Sequence, residues 1–245
     1  MIRIRLLILG ALLVFWVAGC SSNKTPIDVK LRIANKELLD GEYEASINNL
    51  KEVLQNWDSA EIHHNLGIAH YLNGENGMAV LHLEKSLKLD STASRAKEAL
   101  GLIRRKEAIT SPEYSLLERL GRSLPEELWL ALLLVGFWGF LVFGVYLYLF
   151  VQRRSVYRDF AIGSFLVLIL ATIACFGISE ESKRGVLTGD ENQLKVIPTP
   201  GGEVFMEFAA GEPAKLLKIS GDYCFIQTEK SVRGWVLKEQ FASIR

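Results

Sequence analysis

The amino-acid sequence predicts an α+β multidomain membrane protein, in which α-helical hairpins, two transmembrane helices and a small all-β barrel follow one another. Three observations lead there. Residues 128–151 and 160–178 are apolar runs without a charged side chain, separated by a short basic stretch. Gly41 and Gly74, 33 residues apart, open two similar segments of helical period. After residue 182 that period gives way to short apolar runs punctuated by Gly, Pro and Asp.

The chain begins with Arg3 and Arg5 ahead of an apolar stretch, residues 6–17, and then reads Val17-Ala18-Gly19-Cys20-Ser21-Ser22. A positive start followed by a short apolar core and small residues is the layout of a secretory signal, placed here at residues 1–19. Small residues directly before a cysteine resemble a bacterial lipobox, which implies a diacylglycerol on Cys20 as the mature N-terminus. An uncleaved signal anchor is the other reading. Both put the following segment outside the cytoplasm.

Residues 25–105 read as a helical repeat. Gly41-Glu42-Tyr43-Glu44-Ala45-Ser46-Ile47 aligns with Gly74-Glu75-Asn76-Gly77-Met78-Ala79-Val80. In each, glycine turns the chain between two helices and a small residue, Ser46 or Ala79, lets them approach closely. Asn65-Leu66-Gly67, Tyr71, Gly74, Ala79, Leu83 and Leu87-Lys88-Leu89-Asp90 make the second unit resemble a tetratricopeptide repeat (TPR). His63 and His70 replace its usual aromatics, and the charged helix after Ser94 suits a polar cap. The resemblance implies a peptide- or protein-binding groove at Asn35, Asn65, Tyr71 and Arg95; framework packing is the competing role for the asparagines, and Leu31 and Ala99 replace other polar members of a carboxylate clamp. All four histidines, 63, 64, 70 and 82, lie in the second unit, but no i to i+4 pair of a metal helix occurs. They are expected to line the groove or pack, with no metal.

Residues 106–127, punctuated by Pro112 and Pro125, form a juxtamembrane linker whose stretch 113–123 reads as an amphipathic helix along the membrane surface. At 1.5 Å per residue, 128–151 and 160–178 are each long enough for a hydrocarbon core of about 30 Å. Between them, the loop 152–159 carries Arg153, Arg154 and Arg158 against Asp159, and positive charge in a short loop marks the cytoplasmic side. Both polar modules then face outward, in agreement with the N-terminal signal.

In residues 182–245, runs at 185–187, 193–197, 204–208, 214–219, 223–228 and 234–237 alternate with turn signals, which argues a small barrel. Leu194-Lys195-Val196, Phe208-Ala209-Ala210-Gly211-Glu212, Gly221-Asp222-Tyr223 and Gly234-Trp235-Val236 resemble the bacterial SH3 family. Tyr223 and Trp235 are its candidate ligand surface, or else core plugs. Cys224 is expected to be an inert strand thiol.

The 28 basic and 28 acidic side chains cancel, and no run of like charge suggests a nucleic-acid partner. A phosphate loop, nucleophile elbow and metal helix are missing from the text, so neither catalysis nor a cofactor is expected. The order of lipobox, short repeat array, membrane hairpin and SH3-like barrel resembles the BatE-type proteins of bacterial aerotolerance operons. That resemblance implies a non-enzymatic component of the inner membrane working beside von Willebrand A-domain (VWA) membrane proteins and a MoxR-type ATPase. Two functions remain open: a scaffold for envelope proteins, and a cell-wall sensor or anchor whose barrel binds peptidoglycan.

Overall fold

A computed structural model describes residues 26–149, 154–189 and 191–244. The predicted signal, the expected lipidation site Cys20 and the residue Arg153 of the predicted loop lie outside the described residues. The chain divides into two compact units, residues 1–58 and 59–245.

The first unit is an antiparallel helix pair, α1 (Pro26–Asp40) and α2 (Tyr43–Leu54). Gly41, at φ 86°, makes the turn in a conformation that a side chain would resist. Ile47, Leu50 and Val53, three residues apart on α2, form its buried stripe. Where the helices are closest, Ser46 Oγ donates to the Ala34 carbonyl at 2.8 Å, and both residues are buried.

The second unit begins with the matching pair α3 (Ala60–Leu72) and α4 (Asn76–Leu89), followed by α5 (Ser94–Lys106). Ser59 caps α3 by accepting from Ile62 N, and Gly74 at φ 85° turns it into α4. Gly67 is the point of closest approach: a Cβ there would lie 2.7 Å from Leu83 Cγ. Helix α4 is buried nearly all round, at Gly77, Ser86 and every residue from 79 to 84. One side meets α3 and α5. The other meets the C-terminal sheet, whose Val186 joins Val80, Leu83, Leu100, Ile103 and Ile109 in a single core. Gly77 admits this contact, because a Cβ on it would stand 2.6 Å from Thr188 Cα. The second helix pair and the sheet therefore share a core instead of closing separately.

Two helices are long and apolar enough to cross a membrane, α7 (Glu126–Leu149) and α8 (Arg154–Glu181), and they pack as a hairpin. Near the polar modules the seam is tight, with Gly136 against the Leu168 backbone, Gly139 against Ser164 Oγ, and buried Ala171 and Ala174 beside Trp129. Toward the loop it widens into stacked rings, Phe143 with Phe160 and Tyr146 with Tyr157. Outward-facing side chains such as Leu134, Trp138, Leu166 and Phe176 stay exposed, so the outside of the hairpin is apolar as well as its seam.

Helix α8 starts at Arg154 and ends at Glu181, longer at both ends than the predicted 160–178, so residues 154–159 are helical and not loop. Ser155 to Asp159 contain no Gly or Pro, and Tyr157 gains a ring partner by staying helical. The amphipathic helix expected at 113–123 is shorter, α6 (Leu116–Gly121), started by a capping box between Ser115 and Glu118. It packs directly on α8: a Cβ on Gly177 would fall 2.0 Å from the Leu117 carbonyl oxygen. Trp129 Nε1 donates to the Gly121 carbonyl, and Arg122 pairs with Glu181 at 2.9 Å, so the polar ends of the hairpin meet.

The seven strands are β1 (Arg184–Leu187), β2 (Asn192–Lys195), β3 (Val204–Phe208), β4 (Pro213–Ser220), β5 (Tyr223–Thr228), β6 (Arg233–Leu237) and β7 (Phe241–Ser243). They form one curled antiparallel sheet in the order β3-β2-β6-β5-β4-β1-β7. Six were expected from the alternating runs. The seventh, only three residues long, carries no alternation to announce it. Leu187, Leu194, Phe208, Ala214, Cys224, Ile226 and Val236 fill the interior of the curl. A bulge between Leu216 and Lys218 kinks β4.

Candidate interaction surfaces

The four residues of the predicted groove divide between the units. Asn35 lies half-buried on α1 of the first. In the second, Asn65 and Tyr71 are half-buried on α3, and Arg95 is exposed near the start of α5. Tyr71 packs on the shared core and carries Lys106 Nζ 5.3 Å above its ring. Arg95 is close enough to His64 for its charge to be felt: burial first and Arg95 second hold that imidazole below its usual pKa, against an opposite pull from Glu61. His64 and Arg95 thus mark one face shared by α3 and α5. The other three histidines are packing residues. His63 Nδ1 and His82 Nδ1 share a hydrogen bond of 2.8 Å, the His70 and His82 rings stack, and His70 Nδ1 bonds Glu75 at 2.6 Å, all three being buried.

On the sheet, strand alternation separates the two roles that Tyr223, Cys224 and Trp235 were expected to fill. Cys224 and Val236 point into the interior, where burial pushes the thiol pKa up and keeps it unreactive. Trp235 faces the outer side, half-buried, with Phe225 as cross-strand neighbour and ring centroids 5.0 Å apart. Tyr223 has the same parity, is itself buried, and has Lys195 Nζ 5.9 Å from its ring centre. Trp235 therefore does not plug the core. Trp235→Ala is expected to leave the sheet folded, at a cost near the ~1 kcal/mol of an aromatic pair; Cys224 should then stay as slow to react with maleimide as in the parent protein.

A third site was not foreseen. Arg184, the first residue of β1, places Nε 2.8 Å and Nη2 3.0 Å from the two carboxylate oxygens of Glu118, and Nη1 2.5 Å from Glu229. Its Nη2 also donates to the Glu113 carbonyl at 2.6 Å. Burial raises the cost of charging Glu118, but the Arg184 hydrogen bonds and charge, with the Ser115 N–H, outweigh it and hold the carboxyl at about 2. The same pairing more than offsets burial for Arg184 and strengthens its hold on the proton. Tyr114 has two guanidiniums at its ring, with Arg122 Cζ 4.4 Å and Arg184 Cζ 4.8 Å from the ring centre. Lys215 reaches Glu180 at 2.6 Å on the same side. An open cleft of about 400 Å³ runs beside the network, lined by Ser115, Glu118, Arg184, Lys215, Gln227 and Glu229.

This network fastens the sheet to α6 and to the last turn of α8. Its charges are consumed by one another, so its chemistry is that of a clamp. In the sequence, only Ser115-Leu116-Leu117-Glu118 gave a local signal, a capping box; Arg184 stands 66 residues away from its main partner. Compared with protein-family models, with curated proteins and with solved structures, the chain matches none of them.

Proposed function

We propose that the chain is a non-enzymatic scaffold of the bacterial inner membrane, of BatE type, which presents a TPR surface and an SH3-like barrel to protein partners outside the cytoplasm. The observation that carries this reading is the junction at one end of the apolar hairpin. There the second helix pair, α6, the end of α8 and the sheet are joined by one core and by the Arg184 network. Such a body is rigid where it leaves the hairpin, as a platform for partners needs to be, and its polar groups are engaged in holding it together.

In this reading Cys20 adds a lipid anchor, and Arg153, Arg154 and Arg158 keep the far end of the hairpin in the cytoplasm. Envelope proteins with VWA domains are the partner class. Asn65 on α3 and Arg95 on α5 are the docking residues of this reading, because Arg95 is exposed and offers charge to an acidic segment. Crosslinking of the full chain in cells, followed by mass spectrometry, tests this. Asn65→Ala combined with Arg95→Ala should reduce VWA-protein crosslinks about tenfold, the loss expected from an interface deprived of about 1.4 kcal/mol. Unchanged crosslinks would exclude these docking residues.

A further inference from the structure

We infer that the outer face of the curled sheet, around Phe225, Trp235, Lys195, Lys218 and Arg233, rests on the anionic phospholipid headgroups of the membrane that the hairpin spans. The inference rests on the hairpin being a membrane anchor and goes beyond it, since it gives the sheet a lipid contact of its own.

The argument begins with register. Directly opposed residues of antiparallel strands lie on one face. Arg184, Lys215, Gln227 and Arg233 are opposed in turn across β1, β4, β5 and β6. Lys218, Phe225, Trp235 and Lys195 are opposed in turn across β4, β5, β6 and β2. Phe225 and Gln227 have the same parity on β5, as do Arg233 and Trp235 on β6, so both rows belong to the outer face, about 7 Å apart along the strands.

The first row fixes which way that face looks. Lys215 bonds Glu180 in the last turn of α8, and Arg184 bonds Glu118 of α6, which itself packs on α8 at Gly177. The outer face is thus turned toward the end of the apolar hairpin, the level at which headgroups lie. Strand β1 leaves that end through residues 182 and 183, and β4 runs antiparallel to it. Beyond Lys215, β4 therefore passes back toward the hairpin, carrying Lys218 together with Leu217 and Ile219, whose side chains are exposed.

The chemistry of the second row fits the location. Trp and Phe between lysines are the composition of an interfacial surface, rings at headgroup depth and cations toward phosphate. Lys195 donates to the Thr199 and Pro200 carbonyls and Arg233 to the Gln227 side chain, and among the described residues neither these two nor Lys218 is ion-paired with a carboxylate. Glu207, across from Gln193 at the β3 edge, is bonded by that glutamine. The positive charge of the row is left for an external anion.

The test uses the full chain in nanodiscs of phosphatidylcholine alone, or with phosphatidylglycerol added, with photoreactive benzoylphenylalanine in place of Phe225 or, separately, Trp235. Irradiation should yield phospholipid adducts, about threefold or more abundant with phosphatidylglycerol. That excess should disappear in Lys195→Gln/Lys218→Gln/Arg233→Gln, with Cys224 still protected from maleimide as the sign of an intact sheet. Equal lipid capture in both discs overturns the inference. So does the absence of lipid adducts in a chain that co-elutes with the disc, or loss of adducts on adding purified sacculi or polyglutamate, which would assign the face to a wall or acidic-peptide ligand. A chain that fails to co-elute with the disc refutes the membrane anchor itself, and the lipid contact with it.

Discussion

Glu118→Ala is expected to loosen the joint between the sheet and the hairpin by about 3–5 kcal/mol, the usual consequence of removing one partner from a buried ion pair. The Glu118 side chain is 2 % exposed and that of Arg184 11 %, so the substitution leaves a largely buried guanidinium without its main carboxylate, for which water from the adjoining cleft is only a partial substitute. Arg184 would keep Glu229 and the Glu113 carbonyl, which limits the damage, but α6 would also lose its reciprocal cap on Ser115. The effect should be local. Amide exchange should accelerate in α6 and β1, while α1 and α2, in a separate unit, keep their protection.

The same contact carries a pH signature whose sign is fixed. Folding holds the Glu118 carboxyl at about 2 against an ordinary 4.5, so its contribution is fully present above about pH 4.5 and is lost as the pH falls toward 2. The shift corresponds to about 3 kcal/mol. Protection of the β1 amides, taken as the ratio of intrinsic to observed exchange at each pH, should therefore fall between about pH 4.5 and 2 in the parent protein, and show a much flatter profile in Glu118→Ala. If both proteins responded alike in that window, the acid sensitivity would belong to another carboxylate.

The contrast between this joint and the elements it links shows what a sequence makes legible. Helices and strands are written in local periods: Ile47, Leu50 and Val53 recur at helical spacing, and Tyr223 to Thr228 alternate between the two faces of a strand. Gly41 and Gly74 announce their turns because positive φ selects glycine. The joint has no such period. Glu118 and Arg184 belong to different elements, and each alone reads as an ordinary solvated charge. Tyr223 and Trp235 were equally ambiguous, since alternation says that neighbouring side chains part but not which side is covered. Only the pairing of Trp235 with Phe225 and Lys195, opposite Val236, decides it.

One clue to the shared core did stand in the repeat. Gly77 takes the place that Glu44 holds in the first unit, in the first turn of a helix, where glycine costs up to about 1 kcal/mol relative to alanine. The Thr188 backbone accounts for it. On helix propensity alone, Gly77→Ala would stabilise the protein; with a Cβ 2.6 Å from Thr188 Cα and 2.7 Å from its carbonyl oxygen, it should instead push the sheet off α4. Withdrawing Val186 from the core costs about 1.5–3 kcal/mol of burial. Gly101→Ala is the control, since no heavy atom lies within 4 Å of its added Cβ, and it should stabilise by up to about 1 kcal/mol. The opposite signs, read as changes in amide protection of α4 and β1, separate contact from propensity. If Gly77→Ala stabilised as Gly101→Ala does, the helices and the sheet would be separable modules. With the expected destabilisation they move as one body, and a load applied to the Arg95 face reaches the apolar hairpin through Val186 and Arg184 without needing a flexible linker to transmit it.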